Sequence, residues 1–304
     1  MSADDAHGVG VKIDAALVRR LTAAQFPEFA DLAIEPVVSA GTDNALYRLG
    51  DNMCARLPRV TWAIDQVKKE QEWLPVLAPF LALDVPKPLR LGQPAEGYPW
   101  NWSIYNWIDG EAVTLERIAE PRQLASDLGH FIATLHRVDL ASGPPAGDHN
   151  FGRGLPLAAR DKPTREAIRE LGDRIDREAV TEAWDAALES SPWDRPPVWI
   201  HGDIHAGNLI ANNGQVTAVI DFGGLGMGDP ACDLIVAWNL LSAGLRDVFR
   251  ETAGVDDATW ARGQGWALSV GLIAHTYYQG KNPVIVASSQ RTIAEALADH
   301  QRGS

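Results

Sequence analysis

His201-Gly202-Asp203-Ile204-His205-Ala206-Gly207-Asn208 is followed, thirteen residues after its asparagine, by an aspartate in Ile220-Asp221-Phe222-Gly223. Between the two segments, Leu209, Ile210 and Ala211 form a short apolar run and Asn212-Asn213-Gly214 reads as a turn. Val216, Ala218, Val219 and Ile220 form a second apolar run. The spacing predicts a small hairpin with Asn208 before its first strand and Asp221 at the end of its second. Two carboxylates and an amide mounted in this way suit phosphoryl transfer, which needs divalent metal on the phosphates, a carboxylate near the attacking hydroxyl, and all of them in line. Asp203 would accept a hydrogen bond from the hydroxyl and take its proton late. Asn208 and Asp221 would supply the hard oxygen ligands that Mg2+ prefers.

The motif His-Gly-Asp-x-x-x-x-Asn at 201–208, with Asp221-Phe222-Gly223 and then Gly228-Asp229-Pro230 and Asp233-Leu234, resembles the aminoglycoside phosphotransferases and their relatives, which share the protein kinase fold. The resemblance implies that Asp203 is the catalytic acid, that Asn208 and Asp221 are metal ligands, and that His201 and Asp233 support the loop structurally. It also implies an α+β, protein-kinase-like architecture: residues 1–107 as a small nucleotide-binding lobe with an antiparallel sheet, and residues 108–304 as a mostly helical catalytic and acceptor-binding lobe. The competing reading of His201 and His205 as a helical zinc pair meets a poor helix interior, because Gly202 and Gly207 lie in it.

The rest of the chain is read outward from that core. An Asp cap and apolar Ala15, Leu17, Val18, Leu21 and Ala24 predict a helix over Asp14 to Phe26. Three β-like segments follow, Ile34 to Ser39, Ala45 to Leu49 and Met53 to Leu57, the last two joined by Gly50-Asp51-Asn52. The small polar turn at 40–44 places Gly41, Thr42 and Asn44 where backbone amides reach phosphates, although the Gly-x-Gly-x-x-Gly pattern of protein kinases is absent. A helix is expected from Thr61 to Leu77. In the resemblance a cation on the third strand contacts nucleotide phosphates and a helix-borne carboxylate orients it. Arg56 stands where most relatives carry Lys, with Glu70 as its partner and Glu72 as the alternative. Guanidinium keeps the charge but presents a planar fork rather than a point.

Leu89 to Leu91 and Asn101 to Tyr105 read as further strands. The linker Asn106-Trp107-Ile108-Asp109-Gly110 comes next, and the resemblance gives the backbones of Asn106 and Ile108 to the purine of ATP or GTP. Trp100, Trp102 and Trp107 are read as core rather than as base-stacking residues. Helices are expected at Arg122 to Val138, within Lys162 to Glu189, and at Ala231 to Ala243, Asp257 to Tyr278 and Pro283 to His300. A loop rich in Gly and Pro is expected from Ala141 to Gly154. In relatives an insertion before the catalytic loop builds the acceptor site, which makes Arg153, Arg160 and Asp161 the substrate candidates.

Composition sets the outer limits. With 304 residues, 46% hydrophobic and 22% charged, the chain is ordinary globular protein. A net charge of −13 argues against a nucleic acid partner. The charge is −4 up to Gly110 and −9 beyond it, which suits a cationic acceptor and equally suits simple solubility. No apolar stretch is long enough to span a membrane, no signal peptide is recognised, and Cys54 and Cys232 suit a reducing cytoplasm. The expected activity is ATP- or GTP-dependent phosphorylation of a hydroxyl on a small molecule, an aminoglycoside or other hydroxylated antibiotic first. A metabolite such as choline or homoserine is the alternative acceptor, and a nucleotide-binding scaffold without turnover the alternative role.

Overall fold

The computed structural model describes residues 12–38, 43–140 and 142–303. The described residues divide into two compact units: those up to Gly110 with Ala218–Gly223, and those of 111–217 with those from Gly224 onward.

The first unit opens on α1 (Ala15–Gln25), whose N-terminus is capped by Asp14 accepting from the Leu17 N–H. Its strands are β1 (Ile34–Pro36), β2 (Asn44–Leu49), β3 (Met53–Pro58), β4 (Pro88–Gly92) and β5 (Trp102–Asn106), with helix α2 (Ile64–Leu77) between β3 and β4. They form an antiparallel sheet in the order β1-β2-β3-β5-β4. Strand β1 is shorter than its apolar pattern suggests, and Ser39 lies outside the described residues. The β2–β3 hairpin pairs Leu49 with Met53 across the expected turn. Leu17, Val18 and Leu21 of α1 bury against Leu49, Trp102 and Ile104 of the sheet, a cluster in which each aliphatic side chain contributes roughly 1.5–3 kcal/mol by leaving water. Trp102 is therefore core, as read. The second segment of this unit carries Asp221, and it is tied in where the Val219 N–H donates to Asp84 O at 2.9 Å.

The second unit begins with β6 (Glu111–Ala112), which pairs with β8 (Leu209–Asn212). Strand β8 leads through Asn213 and Gly214, both at positive φ (50° and 77°), into β9 (Gln215–Val219). Two left-handed residues make the tight turn that Asn-Gly chemistry favours, so the expected hairpin is present. The remaining pair, β7 (Val198–Ile200) and β10 (Gly226–Gly228), is antiparallel.

Helix α3 (Pro121–Arg137) buries Leu124, Leu128, Phe131, Ile132 and Leu135 along one face. The segment read as helical from Lys162 to Glu189 is two helices, α4 (Asp161–Leu171) and α5 (Arg177–Glu189). They are separated at Gly172, whose φ of +55° ends the first. The single helix expected over Ala231 to Ala243 is a correction. A 3-10 turn over Pro230–Ile235 and the short α6 (Val236–Asn239) end at Leu240, and a new helix, α7 (Ala243–Ala253), starts after Ser242. Arg246 of α7 is 1% exposed and donates back to the Leu241 carbonyl at 3.0 Å, which satisfies an acceptor left open by that break. Helices α8 (Asp257–Tyr278) and α9 (Pro283–Gly303) complete the unit. The buried pair of Arg262 with Asp229, at 2.8 Å, ties α8 to the turn at Pro230. Among the described residues no helix is long and apolar enough to cross a membrane.

Candidate active site

Arg56 on β3 is the centre of the first unit's polar interior. Its Nη1 donates to Glu70 Oε1 at 2.6 Å, and its Nη2 donates to Asp221 Oδ1 at 2.8 Å. With its amide oxygen turned toward the guanidinium, Asn44 accepts from Nε at 3.2 Å and Nη2 at 3.0 Å. Glu70, not Glu72, is thus the carboxylate that orients Arg56. Burial works against the charge on Arg56, but Glu70 and then Asp221 outweigh it and push the guanidinium above its ordinary range. Tyr105 on β5 donates its hydroxyl to Glu70, and burial together with Glu70 raises the phenol. Gln66 is 4% exposed and lies beside both Arg56 and Gly223. Neither Tyr105 nor Gln66 stands out in the sequence, since a tyrosine on a strand and a glutamine on a helix are commonplace.

Removing the Glu70 carboxylate leaves Arg56 partly buried with its strongest partner lost. Glu70→Gln is expected to destabilise the fold by about 3–5 kcal/mol, the usual loss when one partner of a buried ion pair is removed. A loss below about 1 kcal/mol in denaturant melts would contradict this.

Asp221 adopts φ +62°, a left-handed conformation uncommon for a residue with a side chain. Its carboxyl accepts from the Gly223 N–H at 3.4 Å, a local bond of the kind that lets aspartate tolerate this backbone. Two residues on, the Gly223 carbonyl accepts from Lys69 Nζ at 2.7 Å. Lys69 is buried, and burial holds its ammonium down, to about 8, against the pull of Glu70.

An unfolded lysine keeps its proton to about pH 10.4. Between pH 8 and that value the unfolded chain therefore binds the extra proton, and stability rises with pH. The rise from this group is at most about 3 kcal/mol in the metal-free protein. Denaturant melts at pH 7.5 and 9.5 are expected to show it in the wild type and to lose it in Lys69→Met; equal slopes in both proteins would refute it.

In the second unit the loop after β7 turns at Gly202, whose φ is +82° and where a Cβ would meet the Gly224 carbonyl oxygen at 2.6 Å. Only glycine fits there. Asp233 is fully buried beneath the loop. Its Oδ2 accepts from the His201 N–H at 3.0 Å and its Oδ1 from the Gly202 N–H at 2.6 Å, and Oδ2 lies 3.1 Å from His136 Nε2. His201, also fully buried, accepts the Asp203 N–H at its Nδ1 at 3.1 Å. His205 Nδ1 likewise accepts the Gly207 N–H at 3.1 Å, in a 3-10 turn. Each histidine therefore spends a ring nitrogen on the loop backbone, and the zinc reading has no helix to stand on.

The fixed loop holds Asp203 with its side chain 44% exposed. Asn208 Nδ2 donates to the Asp203 carbonyl at 2.9 Å and to Oδ2 at 3.4 Å. This spends the amide's donor and leaves Asn208 Oδ1 accepting no hydrogen bond among the described residues. A neutral amide oxygen held in this way is a hard donor, as is a carboxylate such as that of Asp221, and each is of the kind Mg2+ prefers. Arg153 Nη2 approaches Asp203 Oδ1 at 3.6 Å, and His205 Nε2 approaches Oδ2 at 3.7 Å.

Of the other expected residues, Gly41 and Thr42 lie outside the described residues. The Asn106 N–H already donates to Lys87 O at 3.1 Å, so that donor is not free for a base. Ile108 follows in the linker. Arg153 is at the Asp203 carboxylate and Arg160 shares the Trp266 ring with it. Asp161 is turned away, accepting from Arg165 Nε and Trp184 Nε1, each at 2.8 Å.

A model of the phosphotransferase enzyme family matches residues 36–266. An aminoglycoside 3′-phosphotransferase of Escherichia coli is 26% identical over 165 residues, which make up 51% of this chain and 59% of the relative. The chain thus spans about three-fifths of the length of the curated relatives it matches. The solved GDP complex of wild-type aminoglycoside 2′-phosphotransferase-IIIa superposes with a TM-score of 0.71 at 16% identity, covering 95% of this chain and 100% of that one. The apoenzyme of a macrolide 2′-phosphotransferase from Brachybacterium faecium gives 0.62 at 19% identity, covering 92% and 97%. At these identities the likeness establishes the α+β, protein-kinase-like fold. Because the family model runs through Arg56, Asp203, Asn208, Asp221 and Asp233 and takes in most of both units, the chain belongs to the phosphotransferase enzyme family.

Proposed function

We propose that the chain is an O-phosphotransferase that moves the terminal phosphate of ATP or GTP to a hydroxyl of a small molecule. The observation that carries this is the half-exposed Asp203 carboxylate, held beside the Asn208 amide on a loop pinned from below by Asp233. Asp203 accepts a hydrogen bond from the acceptor hydroxyl, aims its oxygen, and receives the proton as the new O–P bond forms and the bond from phosphorus to the β–γ bridging oxygen breaks. Asn208 and Asp221 are the residues to hold Mg2+, which when bound offsets the charge of the nucleotide phosphates. Arg56 addresses those phosphates with Asn44 and the loop of Gly41 and Thr42, while the backbones of Asn106 and Ile108 face the purine. Residues 1–107 act as the nucleotide-binding lobe and 108–304 as the catalytic and acceptor-binding lobe, in the cytoplasm.

The relatives are named for aminoglycosides and macrolides, which makes hydroxylated antibiotics the first acceptors to try. Arg153 beside Asp203, with Arg160 over the same indole, favours a second reading, a kinase of a hydroxylated metabolite. The test is phosphate transfer from ATP and from GTP, with Mg2+, to a panel of aminoglycosides, macrolides and small hydroxylated metabolites. Transfer to one class supports the proposal. Nucleotide binding without transfer to any of them would instead favour a scaffold.

A further inference from the structure

Beside Asp203 the second unit holds the guanidinium of Arg153, which shares one indole with the guanidinium of Arg160. Arg153 has a side chain only 13% exposed, its Nη2 is 3.6 Å from Asp203 Oδ1, and its Nη1 is buried without a hydrogen-bond partner. Arg160, at the end of a 3-10 turn over Leu157–Arg160, donates Nε to Ser269 Oγ at 3.1 Å. Thr164 Oγ1 holds that serine in place at 2.8 Å. The Nη groups of Arg160 make no hydrogen bond or ion pair among the described residues. Both guanidinium groups lie over the same indole, that of Trp266, at 5.6 and 5.3 Å from its centroid. Burial first, and then the charge on Arg153, hold the Arg160 guanidinium down, to about 10. The one acid adjacent in sequence, Asp161, is committed to Arg165 and Trp184.

Placing two like charges in a partly desolvated position is costly unless an anion balances them. Asp203 meets one of them, at long range, and in the proposed reaction it must also serve the acceptor hydroxyl. We infer that Arg153 and Arg160 form an oxyanion subsite, so that the acceptor carries a carboxylate or phosphate near the hydroxyl presented to Asp203. This inference rests on the phosphotransferase reading. A polycationic acceptor would set its ammonium groups against two guanidinium groups. The net acidity of the whole chain does not change this, because charges beyond about 8 Å are largely screened at physiological salt while contacts are not.

The test uses four hydroxylated probes of similar size: gluconate, glucose 6-phosphate, sorbitol and glucosamine, with kanamycin as a polycation. Each is titrated calorimetrically into the full chain with Mg2+ and a non-hydrolysable ATP analogue. At least one anionic probe is expected to bind about tenfold tighter than sorbitol, as one charge-assisted contact implies. Gluconate against glucose 6-phosphate separates carboxylate from phosphate. Arg160→Gln is expected to abolish the preference with nucleotide affinity unchanged. Arg160→Lys, which keeps the charge but not the fork, is expected to retain part of it and serves if the glutamine variant does not fold. Equal affinity for anionic and neutral probes, tighter binding of glucosamine or kanamycin, or no measurable binding of any probe would overturn the inference. Anion preference lost in Arg160→Gln, but with no phosphate transfer to any bound probe in a parallel assay with Mg2+ and ATP or GTP, would support the subsite and count against the kinase reading. Transfer without charge preference would do the reverse.

Discussion

Asp203→Ala is expected to lower turnover by a factor of about 10² to 10⁴, the usual loss when a positioned proton acceptor is removed, with nucleotide affinity essentially unchanged. The geometry gives reason to expect that separation. The loop around Asp203 is held by main-chain bonds: its N–H to His201, its carbonyl to Asn208, and the neighbouring N–H groups to Asp233. The carboxylate itself is half exposed, and its own contacts, to Asn208, Arg153 and His205, are all long, at 3.4, 3.6 and 3.7 Å. Deleting it therefore removes chemistry while sparing the scaffold. Single-turnover rates alongside nucleotide binding by calorimetry check this, and turnover near wild type would remove Asp203 from the reaction.

Asp233→Ala is expected to act through folding instead. A fully buried carboxylate is the acceptor for the His201 and Gly202 N–H groups and the partner of His136. Its loss strands two buried donors and a buried ring, at a cost of about 3–5 kcal/mol. Asp233→Asn recovers only part of this, since one face of the amide would offer a donor where a second acceptor is needed. Denaturant melts measure the difference, and a loss below about 1 kcal/mol would show that the loop does not depend on this acid.

The sheet, the capped first helix and the β8–β9 hairpin were legible in the residues because each depends on local chemistry: alternation of apolar side chains, an Asp cap, and an Asn-Gly turn. Strands β6, β7 and β10 were not, being two or three residues long and paired with partners distant in sequence. Helix α7 was missed because an apolar run starting at Ala231 masks the break at Leu240, which is stabilised by Arg246 from the next turn of chain. The same contrast holds for the site. Asp203, Asn208 and Asp221 are recognisable by spacing. Tyr105, Gln66, His136 and the pairing of Arg153 with Arg160 over one indole exist only once distant segments meet, and no local pattern announces them.

The arginine at position 56 also bears on how this protein would be found in a cell extract. Chemical surveys of nucleotide-binding proteins often depend on an acylating nucleotide analogue that transfers its tag to a lysine amine beside the phosphates. In the proposed site the group at position 56 is a guanidinium kept charged by Glu70 and Asp221, and a permanently protonated guanidinium is a very weak nucleophile. Such a probe would leave position 56 untagged even with nucleotide fully bound, and any tag would have to fall on another amine, such as Lys69, whose proton burial loosens.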